Sequence, residues 1–142
     1  MVNTQSDDFA RASTAQPAMK AKYFRVLNRT RGTILAEHAQ LAGTSSERIR
    51  GLLDRESLSQ GEGLWIVPCE SVHTFGMRFA IDLVYLDRKS RIRKIRHGVK
   101  PWRISACLIA HSILELPAGA VTKSDSCVGD QLELSQLADA RL

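Results

Sequence analysis

Short runs of apolar residues, separated by turn-forming residues, recur along most of the chain. Two runs with β-branched or aromatic residues, 23–27 and 33–36, flank the turn-like cluster NRTRG and predict an opening hairpin. Residues 81–86 alternate with a period of two, and both faces are largely apolar after Asp82. Such a run is typical of a central strand that is buried on both sides.

One segment, residues 46–57, has the pattern of a helix. A serine at position 45 or 46 can cap it, and Glu47 supplies an acid in its first turn. Three apolar residues recur at helical spacing, namely Ile49, Leu52 and Leu53. We therefore predict one α-helix that lays this stripe on the core and ends before the loop SQGEG.

Further short apolar runs complete a strand-rich pattern. They lie at 64–68 and 91–99, within 106–121 and at 127–134, and turn-forming residues separate them. Many short strands with one helix predict a mainly β fold, either a compact jelly-roll-like β-sandwich or a partly closed barrel. Residues 1–21 are polar and aperiodic, so we predict a flexible N-terminal tail followed by a single β-rich domain over 22–142.

Length and composition agree with one ordinary globular domain. The chain has 142 residues, of which 44% are hydrophobic and 25% are charged. Three widely spaced cysteines are an odd number, which favours reduced thiols over a disulfide framework. Because no apolar run resembles a signal peptide or the ~20 residues of a membrane span, we expect a cytoplasmic protein without a membrane partner.

The net charge of +5 is concentrated in one part of the chain. The segment 88–103 holds eight basic residues, and no acid occurs between Asp87 and Glu115. Electrostatics would permit a nucleic-acid or anionic-surface contact through this segment. Because aromatic residues that could stack bases are missing before Trp102, we favour a solvated edge strand whose charges prevent edge-to-edge pairing.

Two cysteine–histidine pairs raise the question of a metal site. Cys69 and His73, and likewise Cys107 and His111, stand four residues apart and together would make a Cys₂His₂ set for zinc. In a strand, four residues span roughly 13 Å, which is too far for two ligands of one ion. The sequence leaves open whether the four side chains approach one another. We favour buried thiols and hydrogen-bonded imidazoles, and we predict no metal and no cofactor.

Three carboxylates stand beside strongly apolar residues, in FAID, ILELP and VGDQL. Asp130 follows Gly129, which favours a role in a turn. Asp82 and Glu115 could serve the structure, bind a ligand or face each other as an acid/base pair. No nucleophile elbow, phosphate-binding loop or dinucleotide fingerprint is present to support Cys69 or Cys107 as a catalytic nucleophile.

Four ordered motifs, HTFGMRFAIDLVYLD (73–87), VKPWR (99–103), ILELPAG (113–119) and VGDQLEL (128–134), follow the segment LLDRESLSQGEGLWIVP (52–68). Together they resemble the prokaryotic family called domain of unknown function 192, over about residues 23–134. The resemblance implies a compact, mostly β, jelly-roll-like domain with one helix and no settled biochemical activity, and we expect a bacterial source. The family pattern falls on Met77, Ile81, Asp82, Asp87, Pro101, Trp102, Leu114, Glu115, Gly119, Gly129 and Asp130.

Polar residues near strand ends predict a non-enzymatic module that binds a small molecule or a protein partner. We expect its cleft where the loops 73–77 and 101–103 meet. The candidate ligand-binding residues are His73, Thr74, Met77, Arg78, Asp82, Trp102, Arg103 and Glu115. The alternative is a hydrolase or lyase-like enzyme in which His73 works with Asp82 or Glu115 as general acid and base.

Trp102 has a special position within this predicted cleft. Pro101 fixes its own φ and biases Lys100 toward extended geometry, so the indole is presented at a defined angle. We expect a partly exposed Trp102 that lines the same cleft as His73, with Arg103 offering donors to an anionic group. The alternative is an indole that caps the core.

Overall fold

The structure is a computed structural model that describes residues 20–139, and it contains nine strands and two short helices in that range. The predicted mainly β fold is confirmed. The predicted tail falls almost wholly outside the described residues. In chain order the elements are β1 (Tyr23–Asn28), β2 (Thr33–Ala42), α1 (Ser45–Arg50), β3 (Glu62–Ile66), β4 (Ser71–His73), β5 (Ile81–Leu86), β6 (Ile92–Val99), β7 (Ile104–Ala106), β8 (Ser112–Pro117), α2 (Ala120–Lys123) and β9 (Leu132–Gln136).

Seven strands form one sheet in the order β6-β5-β8-β3-β2-β1-β9, and β4 pairs with β7 in a separate ribbon. The predicted opening hairpin is present as antiparallel β1 and β2. The pairing of β2 with β3 is parallel, whereas the other neighbours are antiparallel. A parallel neighbour requires a crossover, so residues 43–61, including α1, are carried across one face of the sheet.

The sheet curls until its two edge strands meet at one end. Ile92 donates its backbone N–H to the carbonyl of Asp130 at 2.9 Å, and Leu132 donates to Ser90 at 2.9 Å. Beside these bonds, Arg91 and Gln131 form an antiparallel bridge. The architecture is therefore a half-barrel, which corresponds to the partly closed barrel among the predicted alternatives.

Both faces of the central strands are buried, as the run at 81–86 predicted. Every residue of β5 and of β8 is buried. The inner face of the curl holds one apolar cluster that includes Val26, Leu35, Val84, Leu86, Ile92, Leu114, Leu116, Val121 and Leu132. The outer face holds a second cluster, which the crossover and the β4–β7 ribbon cover, and it includes Leu52, Leu58, Leu64, Ile66, Met77, Ile81, Leu83, Tyr85, Val99 and Ile113.

The predicted helix over 46–57 is much shorter in the structure. Its cap is Thr44, whose hydroxyl accepts from the backbone of Glu47 while the Glu47 carboxylate accepts from Thr44 in return. The helix ends at Gly51, which has a φ of 49°, because glycine adopts this conformation without the steric cost of a side chain. The predicted apolar stripe is consequently broken: Ile49 is 76% exposed, and only Leu52 and Leu53, beyond the helix, contact the core.

The central part of the basic segment forms β6, an edge strand that is next to β5 in the strand order of the sheet. Arg93, Arg96 and His97 are exposed, while Ile92 and Val99 at its ends are buried. This placement supports the solvated edge strand that the charge pattern favoured. Among residues 20–139, no helix is long and apolar enough to cross a membrane.

Candidate functional site

A cavity of about 440 Å³ lies between α1 and the outer face of the sheet. We call it the α1 cavity. Its walls come from α1 and the loop that follows, from the end of β3, from segment 68–73 and from Met77. The apolar part of the wall consists of Ile49, Leu52, Leu53, Ile66, Val72 and Met77. Concave, mainly apolar cavities with a few polar groups are the usual form of small-molecule sites.

Glu115 supplies the most unusual polar group of the α1 cavity. It lies in the middle of β8, where its direct neighbours are Leu64 on β3 and Leu83 on β5. The residue is 4% exposed, and its Oε2 atom has no hydrogen-bond partner among the described residues. Burial raises the pKa of this carboxyl from 4.5 to about 7, because the charged form loses its hydration without gaining a partner.

Cys69 and Arg48 occupy the cavity wall with Glu115. The Cys69 thiol donates to the carbonyl of Ser71 at 3.1 Å. Burial raises the pKa of this thiol, and the Glu115 carboxylate raises it further, whereas the Arg48 charge lowers it. A thiol with a raised pKa is protonated at neutral pH. The direction of this shift is opposite to the lowered pKa that is typical of nucleophilic cysteines.

His73 and Met77 also line the α1 cavity, so three of the predicted site residues lie together there. His73 ends β4, at the register position opposite Ile104 of β7. Met77 is 6% exposed and belongs to the outer-face core. The two ends of the loop 73–77 thus line the cavity, while Glu115 supplies a polar group from the sheet.

Asp82 does not join this group, and here the predicted cleft requires a correction. Its neighbour Leu83 pairs with Glu115, so Asp82 and Glu115 project from opposite faces of the sheet. The Asp82 carboxylate accepts from the backbone N–H groups of Gly98 at 2.8 Å, Gly119 at 3.1 Å and Val121 at 3.1 Å. These bonds tie β6 and α2 to the central strand. Asp82 therefore cannot pair with Glu115 or with His73 in the α1 cavity.

Thr74 directly follows β4, holds segment 100–103 by hydrogen bonds and does not line the cavity. It is 1% exposed, and its hydroxyl donates to the carbonyl of Lys100 at 2.8 Å. The same oxygen accepts from the backbone N–H of Arg103 at 2.9 Å. The backbone of Thr74 also receives a hydrogen bond from Trp102 at 3.1 Å. This network holds Trp102 at a φ of 65°, a conformation that side-chain-bearing residues adopt only under such constraint.

Trp102 is 67% exposed and does not cap the core. Its ring stacks on Phe75 with centroids 5.7 Å apart, and Phe75 in turn lies 5.2 Å from the ring of His73. Trp102 thus reaches His73 through an exposed three-ring stack, and it is not part of the cavity wall. The Arg103 guanidinium donates to the carbonyl of Trp102 at 3.2 Å.

Arg78 and Asp130, the remaining sequence candidates, have local partners. Arg78 is exposed and pairs with Glu56 at 3.2 Å. Asp130 is buried, accepts from Asn28 at 2.9 Å and pairs with Arg31 at 3.1 Å. Its carboxylate also accepts from the backbone of Cys127. This arrangement supports the turn role that the sequence favoured for Asp130, and these bonds lower the pKa of its carboxyl despite partial desolvation.

The two cysteine–histidine segments run beside each other. Cys69 donates its backbone N–H to the carbonyl of His111 at 2.9 Å, and Cys107 donates to Glu70 at 2.8 Å. Within residues 20–139, no group of three or more histidine, cysteine, aspartate or glutamate side chains is arranged to hold a metal ion. The backbones of the two segments are neighbours, but their side chains do not converge on one point.

Sequence reasoning missed most of the cavity wall. The contributions of α1, including Ser45 and Arg48, depend on the crossover that lays this short helix over the sheet. The signal for Glu115 was present, because SILELP places a single acid inside a run that is otherwise buried and apolar. A single carboxylate within such a strand points to a special site, because burying a charged group without a partner costs free energy.

A comparison with known protein families identifies the family of this chain. Residues 26–134 match the family model DUF192, domain of unknown function 192, described as "Uncharacterized ACR". The chain belongs to this family. The resemblance recognised in the motifs is thereby confirmed, and DUF192 has no biochemical activity in its description.

Relatives and solved structures agree with this assignment. A UPF0127 protein of Thermococcus sibiricus is 26% identical over 114 residues, which cover 76% of this chain and 73% of the relative. Its counterpart in Thermococcus gammatolerans is 29% identical over 111 residues, covering 74% and 71%. These relatives are archaeal, so a bacterial source for this chain stays a prediction.

Two crystal structures share the fold of this DUF192 chain. A protein of Sinorhizobium meliloti 1021, provisionally described as a transcription regulator, superposes with a TM-score of 0.71 at 22% identity, covering 80% of this chain and 93% of that one. A protein of unknown function from Novosphingobium aromaticivorans gives a TM-score of 0.67 at 20% identity, with coverages of 80% and 84%. At these identities the comparison concerns the fold alone.

Proposed function

We propose that this DUF192 chain is a binding module for a small molecule, which enters the α1 cavity and places a polar group against Glu115. The observation that carries the proposal is the Glu115 carboxyl, which is buried beside a cavity and lacks a partner at Oε2 among the described residues. An unpaired buried carboxyl costs folding free energy. A ligand that donates hydrogen bonds to this carboxyl would offset that cost when it binds.

The shape and wall of the cavity support the same conclusion. About 440 Å³ is within the range of sites for small organic ligands. The walls are mainly apolar, which suits a ligand whose body is hydrophobic. Short helix α1, which has no buried residue of its own, forms one side of the entrance. We keep the cytoplasm as the expected compartment for this activity.

Native mass spectrometry tests the proposal with a variant in which a large side chain blocks the cavity. The chain is purified from its own host and examined by native mass spectrometry, beside Ser71→Trp, which fills the cavity entrance, and Ser57→Trp, an exposed serine outside the wall. We expect a bound small molecule on the natural chain and on Ser57→Trp, and its loss from Ser71→Trp. Equal occupancy of all three proteins, or an empty natural chain, contradicts the proposal.

A second candidate function, a general acid/base enzyme, is favoured by one observation. The pKa of Glu115 is raised to about 7, so this carboxyl could exchange protons near neutral pH, and the His73 side chain lines the same cavity. Asp82 is excluded from this role by its backbone donors and its position on the other face. Chemical conversion of the co-purified molecule by the natural chain, but not by Glu115→Gln, would favour the enzyme over the binding module.

A further inference from the structure

The hydrogen-bonding chemistry of Glu115 restricts the ligand beyond its size, and this inference rests on the proposed binding function. An ionised carboxylate only accepts hydrogen bonds, and it can accept about four. No side chain or backbone group among the described residues donates to Oε2 of Glu115. The neighbouring strands present Leu64 and Leu83 on either side, and these side chains have nothing to donate. The described residues therefore leave Oε2 without a donor, and a ligand that reaches the Glu115 carboxyl from the α1 cavity can supply one.

The charge of the buried carboxylate selects among possible donors. A hydroxyl or amide supplies one or two hydrogen bonds but leaves the negative charge uncompensated in an apolar wall. An ammonium supplies up to three donors together with the opposite charge. We propose that the α1 cavity binds a primary amine with an apolar body, and that its ammonium group pairs with the Glu115 carboxylate. The hydrophobic body contacts the wall formed by Ile49, Leu52, Leu53, Ile66, Val72 and Met77.

The two arginines at the cavity have other hydrogen-bond or ion-pair partners. Arg48 and Arg50 of α1 line the entrance, but Arg48 donates to the carbonyl of Gly43 at 2.8 Å, and Arg50 pairs with Asp54 at 3.4 Å. From segment 68–73, the titratable side chains that face the cavity are Cys69 and His73. The strands beside Glu115, β3 and β5, place the apolar residues Leu64 and Leu83 next to it.

Amine binding is consequently coupled to a proton. The pKa of free Glu115 is about 7, so its carboxyl is mainly protonated at pH 6. An ammonium ion binds the ionised form, and the carboxyl proton leaves to the buffer. Below pH 7, the affinity for an amine therefore increases about tenfold for each unit by which the pH is raised. Above pH 7 the affinity levels off. A neutral alcohol lacks this coupling, because its binding does not require the ionised carboxylate.

Calorimetry with hexylamine and 1-hexanol tests this inference. Titrations at pH 6 and pH 8.5, each in two buffers of different ionisation enthalpy, measure the protons released on binding. We expect roughly 0.7 to 0.9 proton per hexylamine at pH 6, almost none at pH 8.5, and none for hexanol at either pH. Glu115→Gln should weaken hexylamine at least tenfold at pH 8.5 while it retains hexanol. This variant removes the Glu115 carboxyl and leaves His73 unchanged, so it separates the contributions of the two residues.

The matched control is Glu56→Gln, an exposed acid outside the cavity wall, which should bind both probes like the natural chain. If hexanol binds in the cavity but hexylamine gains nothing over it, or if Glu115→Gln binds hexylamine unchanged, the amine inference is overturned and the binding function stands. If neither probe shifts the NMR resonances of the cavity residues in the natural chain, both the inference and the proposed function are contradicted.

Discussion

Asp82 and Glu115 lie one register step apart on neighbouring strands, and both are almost fully buried. Their surroundings differ, because they lie on opposite faces of the sheet. On the inner face, Asp82 accepts three backbone N–H groups from β6 and the start of α2. On the outer face, Glu115 lies beside leucines and the α1 cavity, with Oε2 unpaired among the described residues. A saturated carboxylate holds a fold together, whereas an unsaturated one beside a cavity is available to a ligand.

The largest effect should come from removing the saturated carboxylate. Asp82→Ala leaves three backbone donors of the inner face without an acceptor, in a site where Asp82 is 0% exposed. We expect a loss of about 4 kcal/mol in the free energy of unfolding. Urea denaturation followed by circular dichroism measures it. A loss below about 1 kcal/mol would show that water replaces the carboxylate and that Asp82 is not a structural anchor.

The next effect concerns Glu115 and depends on pH. Its pKa is 4.5 when unfolded and about 7 when folded, so the folded state retains a proton that the unfolded chain releases between these values. The stability contribution is therefore complete below pH 4.5 and is lost as the pH rises through about 7, by at most about 3 kcal/mol. Glu115→Gln lacks this proton and should escape the loss.

The measurement compares the natural chain with Glu115→Gln by urea denaturation at pH 4.5 and pH 8. The variant should gain stability relative to the natural chain as the pH rises, because other titrating groups cancel in the difference. Asp130→Asn provides a control that should not depend on pH in this range. Its partners hold the pKa of Asp130 below the ordinary 3.8, so its stabilisation is nearly complete at pH 4.5 and should hardly change up to pH 8. A difference for Glu115→Gln that does not change with pH would contradict the unpaired state of Glu115.

The sequence predicted much of the fold because hydrophobic alternation is local. The opening hairpin, the central strand β5 and the basic edge strand β6 all follow from runs within a few residues. The three-residue strand β4 and the parallel pairing of β2 with β3 were not predicted, because a short ribbon has no periodicity to detect and parallel pairing depends on where the crossover lies.

The site was predicted only in part, for a related reason. The isolation of Glu115 is visible in SILELP, since an acid stands there among apolar residues. The partners of Asp82 come from positions 98, 119 and 121, and no local pattern indicates that these backbones converge on one carboxylate. The cavity itself depends on α1 ending early at Gly51, which left Ile49 at the entrance instead of in the core.

A smaller effect is expected in the turn that presents Trp102. Thr74→Val keeps the shape of the buried side chain but removes a donor to the carbonyl of Lys100 and an acceptor for the N–H of Arg103. We expect a loss of about 2 kcal/mol in the free energy of unfolding. Thr74→Ser is the matched control and should recover most of it. A loss that appears in Thr74→Ser but not in Thr74→Val would assign the effect to the methyl group instead of the hydrogen bonds.

The smallest effect is expected at the ring stack. Trp102→Ala removes an indole that is 67% exposed and touches Phe75, so the free energy of unfolding should change by about 0.5 kcal/mol. Ile113→Ala, in the outer-face core, should cost about 3 kcal/mol and serves as the reference. A comparable cost at both positions in the same denaturation experiment would mean that Trp102 belongs to the core.

The most direct test of the central claim is an NMR titration of the Glu115 carboxyl carbon, observed in the chain labelled with ¹³C at glutamate and assigned with Glu115→Gln. Without ligand, the midpoint should lie at about 7. With saturating hexylamine it should fall by at least about 1.5 pH units, because the ammonium stabilises the ionised carboxylate. A midpoint near the ordinary 4.5 in the free protein, or one that hexylamine leaves in place, would contradict the account of Glu115 as an unpaired acceptor awaiting a ligand.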